Sequence, residues 1–297
     1  MLNFIIIAHK NPTQVLRLIN NLRGNNNKFY LHVDKSVKIE EFKTIIFGDD
    51  IFYIKKRYQC IWAHYNFVLA TIAALKFVFD NSKSGKIILL SGQCYPLKTQ
   101  KIIENTLCRN DGLSYMNIGV PEWKDFKRRI TEYRIDFSNK RFDYIQLKTF
   151  NLHSTKLFLK GKINIFQLFR LMRRRRIDMD FRGGSAWWIL DYQAAIRIQE
   201  YYLNNRFKLN SFFRHSHCPD EFFFQTIVYK IWGDGYTEFF KESLTFVDWS
   251  KKGVDLPVLF KEADIQQLIN LPEKFLFARK FDIDIDSKVL DMIDEKK

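Results

Sequence analysis

The first 34 residues constrain the fold of this chain most, because they predict a strand, a helix and a second strand in succession. Leu2–Ala8 is an almost continuous apolar run, typical of a strand that is covered on both faces in a parallel sheet. Pro12 opens an amphipathic helix, and Phe29–Val33 predicts the second strand. Such a unit predicts an α/β fold, a mostly parallel central sheet flanked by helices, with ligands outside the carboxyl ends of the strands. His9 and Asp34 follow two of these ends.

This alternation continues further along the chain. More strands are predicted at Ile51–Ile54 and Lys86–Leu90, on either side of a helix over Ala63–Phe79. No linker rich in Pro, Gly or Ser divides the chain, so we expect a single domain over 1–297. It comprises a nucleotide-binding half (1–120), a basic insertion in which the periodicity blurs (121–182) and an acceptor and catalytic half (183–297).

The composition restricts the class of protein and of partner. With 46% hydrophobic residues, 12 Gly and 6 Pro, the chain is neither disordered nor fibrous. Its 48 Lys and Arg against 33 Asp and Glu give a net charge of +15, which favours polyanionic partners. Four cysteines without a C-x-x-C pair predict neither a zinc ribbon nor disulfides. The apolar start is too short for a membrane span and lacks the features of a signal peptide, so we expect a cytoplasmic protein.

A basic amphipathic segment lies in the insertion. Ile165–Met172 is apolar at near-helical spacing and runs directly into Arg173, Arg174, Arg175 and Arg176. A plain solvated helix has this pattern, and so does a helix that lies on an anionic membrane. We favour the second interpretation and predict a peripheral contact of the four arginines with the inner face of the membrane.

The triplet Pro219-Asp220-Glu221 has the composition of a helix start. Acidic residues at a helix start most often cap the helix, and Asp220 is a candidate for this role. A carboxylate at a helix start is also held ionised by the backbone N–H groups, so Glu221 could take a proton from an attacking hydroxyl. We therefore predict Glu221 as a general base.

Arg279 and Lys280 lie between two phenylalanines in a stretch that otherwise favours burial, so their charges need partners. Surface pairing with the nearby Asp282, Asp284 and Asp286 is one solution. The other is a diphosphate, because a departing diphosphate must have its charge neutralised by a metal ion or by fixed cations.

Two acidic repeats resemble a metal-binding D-x-D pattern, namely Asp178-x-Asp180 and Asp282-x-Asp284-x-Asp286. Neither follows a strand of the nucleotide-binding half, and hard cations need oxygen ligands that converge from strand ends. We therefore expect no metal ion.

Ser185–Leu190 predicts a further strand. Trp187 and Trp188 are adjacent in it, so one ring faces the core while the other can face a cleft. An aromatic face can stack on a sugar ring, although core packing is favoured for at least one of the two.

Five groups of residues together resemble one family. The motifs A-H-K-N-P with H-V-D, S-G-Q-x-Y-P, G-S-x-W-W, P-D-E-x-F-F-Q-T and F-A-R-K-F-D follow one another from Ile7 to Asp282. They resemble the core-2/I-branching β-1,6-N-acetylglucosaminyltransferase family, which also includes peptide O-xylosyltransferases and many bacterial members. The resemblance implies a GT-A-like fold, a UDP-sugar donor, inversion at the anomeric centre and no metal ion or other cofactor.

By motif match, the resemblance also assigns roles to particular residues. It implies Glu221 as the base, Arg279 and Lys280 as the diphosphate clamp, Asp34 as a uridine or ribose contact and Trp62 as a donor-pocket residue. Further donor contacts are implied for Ala8, His9 and Ser91, and acceptor contacts for Tyr95, Trp187 and Trp188.

Two positions depart from the family pattern. The family usually has an acid where this chain has Cys94, and Gln or Asp where it has Ala186, both near the sugar pocket. A pocket that lacks a polar partner for a sugar hydroxyl discriminates between donors less sharply. A further family arginine is not evident, and Lys251 or Lys252 is a candidate substitute.

Together the residues and the resemblance predict an enzyme that moves a sugar from a UDP-sugar to a hydroxyl of a glycan acceptor in bacterial surface polysaccharide assembly. N-acetylglucosamine is the favoured sugar. The basic charge favours a lipid-linked acceptor. UDP-xylose is the alternative donor. A nucleic-acid-binding protein and an inactive scaffold are alternatives from other classes, but no nucleic-acid module is recognisable, and Glu221 and Lys280 argue against the scaffold.

Overall fold

The central sheet occupies the middle of the molecule. The structure is a computed structural model that describes residues 1–110, 112–173 and 175–297. Within these residues seven strands form the sheet. From one edge to the other they are β10 (Phe240–Lys241), β6 (Ser114–Tyr115), β9 (Ile189–Leu190), β4 (Lys86–Ser91), β1 (Leu2–Ala8), β2 (Lys28–Val33) and β3 (Ile51–Tyr53). Its pairings are parallel except those of β9, which runs antiparallel to β4 and β6. The predicted α/β fold with a mostly parallel sheet is confirmed.

The position of β1 explains its apolar sequence. It pairs with β2 on one side and β4 on the other, and all seven of its residues are buried. A strand that is covered on both faces has no solvent side, so the alternation of polar and apolar residues is lost.

The helices of the described residues are α1 (Pro12–Leu22), α2 (Glu40–Lys43), α3 (Asn66–Asn81), α4 (Gln100–Arg109), α5 (Phe126–Thr131), α6 (Leu152–Leu159), α7 (Ile165–Leu171), α8 (Tyr192–Phe213), α9 (Phe223–Trp232), α10 (Tyr236–Phe239), α11 (Ile265–Ile269) and α12 (Lys288–Lys296). Of these, α3 packs against β1 and β2, while α8 packs against β4 and α9.

A second, small sheet brings the end of the chain beside the central one. It consists of β11 (Thr245–Val247), β12 (Phe277–Arg279) and β5 (Cys94–Pro96). Here β12 is parallel to β11 and antiparallel to β5, with Arg279 opposite Cys94. Because β5 follows β4 closely, this pairing carries Arg279 to the carboxyl edge of the central sheet.

The basic insertion forms a substructure with its own apolar cluster. The hairpin β7 (Tyr133–Asp136) and β8 (Tyr144–Leu147) packs with α6 and α7. The buried members of this cluster are Tyr133, Ile135, Leu147, Ile163 and Leu171.

The four arginines that end this insertion do not form one basic surface. The guanidinium of Arg175 turns inward and donates to the carbonyls of Arg129, Glu132 and Phe212 at 2.9, 2.6 and 2.8 Å. Burial lowers the pKa of Arg175 to about 10. Arg173 and Arg176 are exposed, and Arg174 lies outside the described residues. The prediction of a four-arginine membrane contact is therefore wrong for Arg175, because both of its terminal nitrogens, Nη1 and Nη2, already donate to acceptors within the protein.

Two local predictions differ from the structure. The segment Ser185–Trp188 is a loop rather than strand, and the helix expected from Pro219 begins as a single 3₁₀ turn over Pro219–Glu221 before α9. The two segments meet at Gly184, whose N–H donates to the carbonyl of Glu221 at 2.8 Å. A Cβ at Gly184 would lie 1.8 Å from the carbonyl oxygen of Asn117, so only glycine fits at this position. Among the described helices none is long and apolar enough to cross a membrane.

Candidate active site

A cavity of about 1430 Å³ opens at the carboxyl ends of the central strands. Ala8 and His9 line it at the end of β1, Asp34 after β2, and Ser91 at the end of β4. Small-molecule sites in proteins enclose about 300 to 1,000 Å³. The volume is therefore sufficient for two substrates at once.

Most of the predicted site residues line this single cavity. Those that do so are Ala8, His9, Asp34, Trp62, Ser91, Trp187, Glu221, Arg279 and Lys280. They come from segments that are far apart in the sequence, and the edge of the sheet brings them together. Tyr95 and Trp188 are not in its wall.

The implied acceptor contacts of Tyr95 and Trp188 are not supported. Both side chains are buried, with 0% and 1% of their surface exposed. The Tyr95 hydroxyl donates to Asp294 at 2.6 Å, and the Trp188 ring packs edge-on against Phe224. Of the tryptophan pair, only Trp187 faces the cavity, as expected for adjacent positions in extended chain.

Two carboxylates stand together in the cavity wall. Arg129 donates from Nη1 to Oε2 of Glu221 at 2.5 Å. Asp220 is half-buried, and its Oδ1 is shielded from solvent with no hydrogen-bond partner among the described residues. Burial, together with the charge of Glu221, raises the pKa of Asp220 to about 7. The wall therefore carries one carboxylate held by a guanidinium and one that keeps its proton up to near-neutral pH.

Arg279 faces these carboxylates from the small sheet. Its guanidinium lies over the ring of Trp187, 4.4 Å from the centroid, and therefore covers one face of that ring. Its Nε is buried without an acceptor in the described part of the chain. Burial lowers the pKa of Arg279, and the side chain of Cys94, followed by Asp220 and Glu221, acts in the opposite direction. Such a cation suits an anionic ligand.

Lys280 belongs to a group of cations at the same edge. Burial lowers the pKa of Lys280, and the charges of Arg279, Arg141 and Lys10 lower it further. The expected alternative partner, Asp282, instead bonds to Lys10, and its Oδ1 accepts from Asn11 at 2.8 Å. Asp282 therefore forms no ion pair with Lys280, although its charge opposes the lowering of the Lys280 pKa.

Asp34 fixes the loop that carries Trp62. Its Oδ2 accepts from the backbone N–H of Cys60 at 2.6 Å, and its Oδ1 accepts from the N–H of Ser36 at 2.8 Å. Trp62 is 40% exposed, and the guanidinium of Arg141 lies 4.9 Å from its ring centroid. Asp34 thus shapes the cavity wall in addition to lining it.

The positions that depart from the family pattern lie at this site. Ala186 lines the cavity, whereas Cys94 is fully buried beside Ser91, whose N–H approaches its Sγ at 3.3 Å. Neither Lys251 nor Lys252 reaches the cavity, because both are exposed and Lys251 pairs with Asp264. The proposed substitution by these lysines is therefore wrong.

Sequence reasoning missed Arg129 and Arg141, which reach the cavity from the basic insertion. Each is the second member of a basic pair, Arg128-Arg129 and Lys140-Arg141. The first members are exposed and do not line the cavity. Only the fold distinguishes the two arginines from their neighbours.

The described residues contain no group of three or more His, Cys, Asp or Glu side chains arranged to hold a metal ion. Asp178 and Asp180 are exposed, and Asp282 is engaged by Lys10 and Asn11.

Three solved structures are distantly similar to this chain. Mouse xyloside xylosyltransferase 1 is 11% identical with a TM-score of 0.37, covering 94% of this chain and 97% of that one. A putative glucose-1-phosphate thymidylyltransferase from Bacillus anthracis is 8% identical with a TM-score of 0.30, and the match covers 67% of this chain and 75% of that one. S. aureus TarS 1-349 is 12% identical with a TM-score of 0.27, and the match covers 54% of this chain and 49% of that one. These values are too low to indicate function. No curated protein matches the sequence.

The family model described as Core-2/I-Branching enzyme matches residues 2–268. This span includes four of the five motifs and ends before the last one, Phe277–Asp282. The fifth motif nevertheless lines the same cavity through Arg279 and Lys280. The chain therefore belongs to the Core-2/I-branching enzyme family, a family of glycosyltransferases.

Proposed function

We propose that this protein is a metal-independent, inverting glycosyltransferase that moves N-acetylglucosamine from its UDP ester to a hydroxyl of a glycan acceptor in surface polysaccharide assembly. One observation carries the proposal. A single cavity at the carboxyl edge of the sheet combines a carboxylate, Glu221, with the cations Arg279 and Lys280. Base and leaving-group stabiliser are the two groups that such a transfer needs.

In the proposed mechanism Glu221 accepts the proton of the acceptor hydroxyl. The hydroxyl oxygen forms a bond to the anomeric carbon as the bond from that carbon to the diphosphate oxygen breaks. The electron pair leaves with UDP, whose negative charge Arg279 and Lys280 neutralise. Arg129 orients the Glu221 carboxylate and is a positioning residue in this scheme.

Fixed cations take the place of a metal ion in this proposal. Arg279, Lys280 and Arg141 line the cavity, and Lys10 lies close enough to Lys280 to lower its pKa. Like charges held together repel, so a bound diphosphate relieves an existing repulsion. We expect UDP to bind in the presence of EDTA.

The wall of the cavity selects weakly among donor sugars. Ala186 offers no hydrogen bond where the family usually has Gln or Asp, so the wall gives fewer polar contacts to a sugar hydroxyl. UDP-xylose is therefore kept as the alternative donor. Competition of UDP-sugars for the same site discriminates between them.

For the acceptor we propose a lipid-linked glycan precursor at an anionic membrane surface. The net charge of +15 and the exposed Arg173 and Arg176 support this part of the proposal.

Calorimetric titration with UDP in EDTA tests the site. We expect binding to the wild type, a loss of about tenfold or more in Lys280→Ala, and wild-type binding in the matched Lys252→Ala, because Lys252 is exposed and outside the cavity. A panel of UDP-sugars then ranks N-acetylglucosamine against xylose. Absence of UDP binding would overturn the proposal, and salt-sensitive binding of an oligonucleotide would then favour the nucleic-acid alternative.

A further inference from the structure

A second cavity, of about 390 Å³, lies between β7, α7 and the residues that follow α8. It shares no lining residue with the candidate active site. Three arginines line it, Arg134, Arg170 and Arg214, together with a single carboxylate, that of Asp136.

The carboxylate is already engaged by one of these arginines. Asp136 accepts from Arg134 at 2.7 to 2.8 Å, and its other oxygen lies 3.8 Å from Nε2 of His64. Arg134 also donates to the carbonyl of Ala63 at 2.8 Å. Arg134 and Asp136 therefore compensate each other and form the wall of the cavity.

The other two arginines have no such compensation. In the described part of the chain neither Arg170 nor Arg214 has a carboxylate within ion-pair distance, and both side chains are exposed at the cavity. His215 lies beside them, and burial followed by the charges of Arg170, Arg175 and Arg214 lowers its pKa to about 3. His215 is thus neutral, and the cavity has an excess of positive charge. A concave group of guanidinium donors of this kind fits an oxyanion, above all a phosphoryl group.

The sequence around α7 indicates which kind of molecule carries that oxyanion. No acidic residue occurs between Asp143 and Asp178. On α7 and directly after it, Phe166, Phe169 and Met172 expose 76%, 58% and 64% of their surface. Large apolar side chains next to uncompensated arginines are typical of a helix that lies in the interface of an anionic bilayer.

We propose that this cavity binds the phosphoryl group of an anionic phospholipid, with Arg170 and Arg214 as its ligands and Phe166 and Phe169 entering the acyl boundary. The site replaces the four-arginine surface that the sequence predicts. It does not depend on the donor or acceptor proposed above, because it lies outside the active-site cavity.

Cosedimentation with vesicles, without any substrate, tests the proposal. We expect the wild type to bind vesicles of phosphatidylcholine and phosphatidylglycerol (roughly 7:3) and to bind pure phosphatidylcholine much more weakly. Arg170→Gln/Arg214→Gln is expected to lose about tenfold or more in affinity, and Phe166→Ser/Phe169→Ser is expected to lose a similar amount. The control Lys101→Gln/Arg109→Gln removes the same charge from exposed positions on α4 and is expected to bind like the wild type. Equal losses in the cavity variant and the control would overturn the proposal.

A titration with inorganic phosphate distinguishes a lipid headgroup from a small anion. In protein with isotope-labelled histidine, we expect phosphate to move the imidazole signals of His215 in the wild type and not in Arg170→Gln/Arg214→Gln. Signals of His9 report the active-site cavity separately. A response of His215 to phosphate without any preference for anionic vesicles would overturn the lipid assignment in favour of a small-phosphate site. No response of His215 would overturn the cavity as an oxyanion site.

Discussion

Arg129 and Glu221 form an ion pair across 2.5 Å although 92 residues separate them in the sequence. Arg129 is itself held by Asp125 at 2.9 Å and lies over the ring of Trp123, 4.8 Å from the centroid. A guanidinium with two carboxylate partners and a stacked ring has little freedom to move. The basic insertion therefore fixes the orientation of the proposed base in the catalytic half.

Removal of this ion pair is expected to reduce turnover rather than donor binding. In Arg129→Met the Glu221 carboxylate loses the group that orients it, so we expect kcat to fall about 10- to 100-fold. The affinity for UDP is expected to stay within about twofold of the wild type, because Arg279 and Lys280 are untouched. Steady-state kinetics and calorimetry measure the two quantities.

Arg128→Met is the matched control for this prediction. Arg128 precedes Arg129 but is exposed and pairs with Glu132 outside the cavity, so its loss leaves kcat unchanged. A decrease in UDP affinity in Arg129→Met, with kcat preserved, would show instead that Arg129 acts on the diphosphate.

Asp220 is expected to make the stability of the protein depend on pH. Burial raises its pKa in the folded state to about 7, from 3.8 for a free side chain. Because the folded state binds this proton more tightly, the free energy of unfolding falls as pH rises towards and through 7. Asp220→Asn removes the titration, so its advantage over the wild type should grow by about 1 to 3 kcal/mol between pH 5 and pH 8.

Urea denaturation at both pH values measures this difference. Asp180→Asn is the control, because Asp180 is exposed. The same pH dependence in the wild type and in Asp220→Asn would contradict a raised pKa at this position.

The fold could be predicted where one structural rule applies over a whole element. Leu2–Ala8 is apolar except for Asn3 because β1 is an interior strand of the sheet and all of its residues are buried. Ser185–Trp188 also contains large apolar side chains but is a loop, and Gly184 directly before it bonds to the carbonyl of Glu221. That hydrogen bond joins distant segments, and no local pattern in the sequence records it.

For the site, the sequence motifs predicted which segments meet but not where every side chain points. Glu221, Arg279 and Lys280 belong to motifs with a fixed order, and the structure brings them to one cavity. Tyr95 belongs to a motif too, but its hydroxyl is directed to Asp294 near the end of the chain, away from the cavity. A motif thus predicts which segment approaches the site, whereas the direction of each side chain depends on tertiary packing.

Arg141 is expected to contribute to binding of the diphosphate. It lines the cavity, and its charge lowers the pKa of Lys280. In Arg141→Gln we expect the affinity for UDP to fall about three- to tenfold and the affinity for uridine to be unchanged, since only UDP carries the phosphates. Lys140→Gln, the exposed neighbour outside the cavity, should behave like the wild type. An equal loss for uridine would indicate that Arg141 acts through the Trp62 ring on which it stacks.

Cys94→Asp is expected to supply a partner to Arg279. Cys94 and Arg279 face each other in the pairing of β5 with β12, and the Nε of Arg279 is buried without an acceptor among the described residues. A carboxylate at this position can accept from the guanidinium, whereas the isosteric Cys94→Asn brings no charge. We expect the Asp variant to be more stable than the Asn variant by about 1 to 3 kcal/mol in chemical denaturation. Its affinity for UDP should be lower than that of Cys94→Asn, because the new carboxylate competes with the diphosphate for Arg279. Equal stability and equal UDP affinity of the two variants would mean that a carboxylate at position 94 does not engage the guanidinium of Arg279.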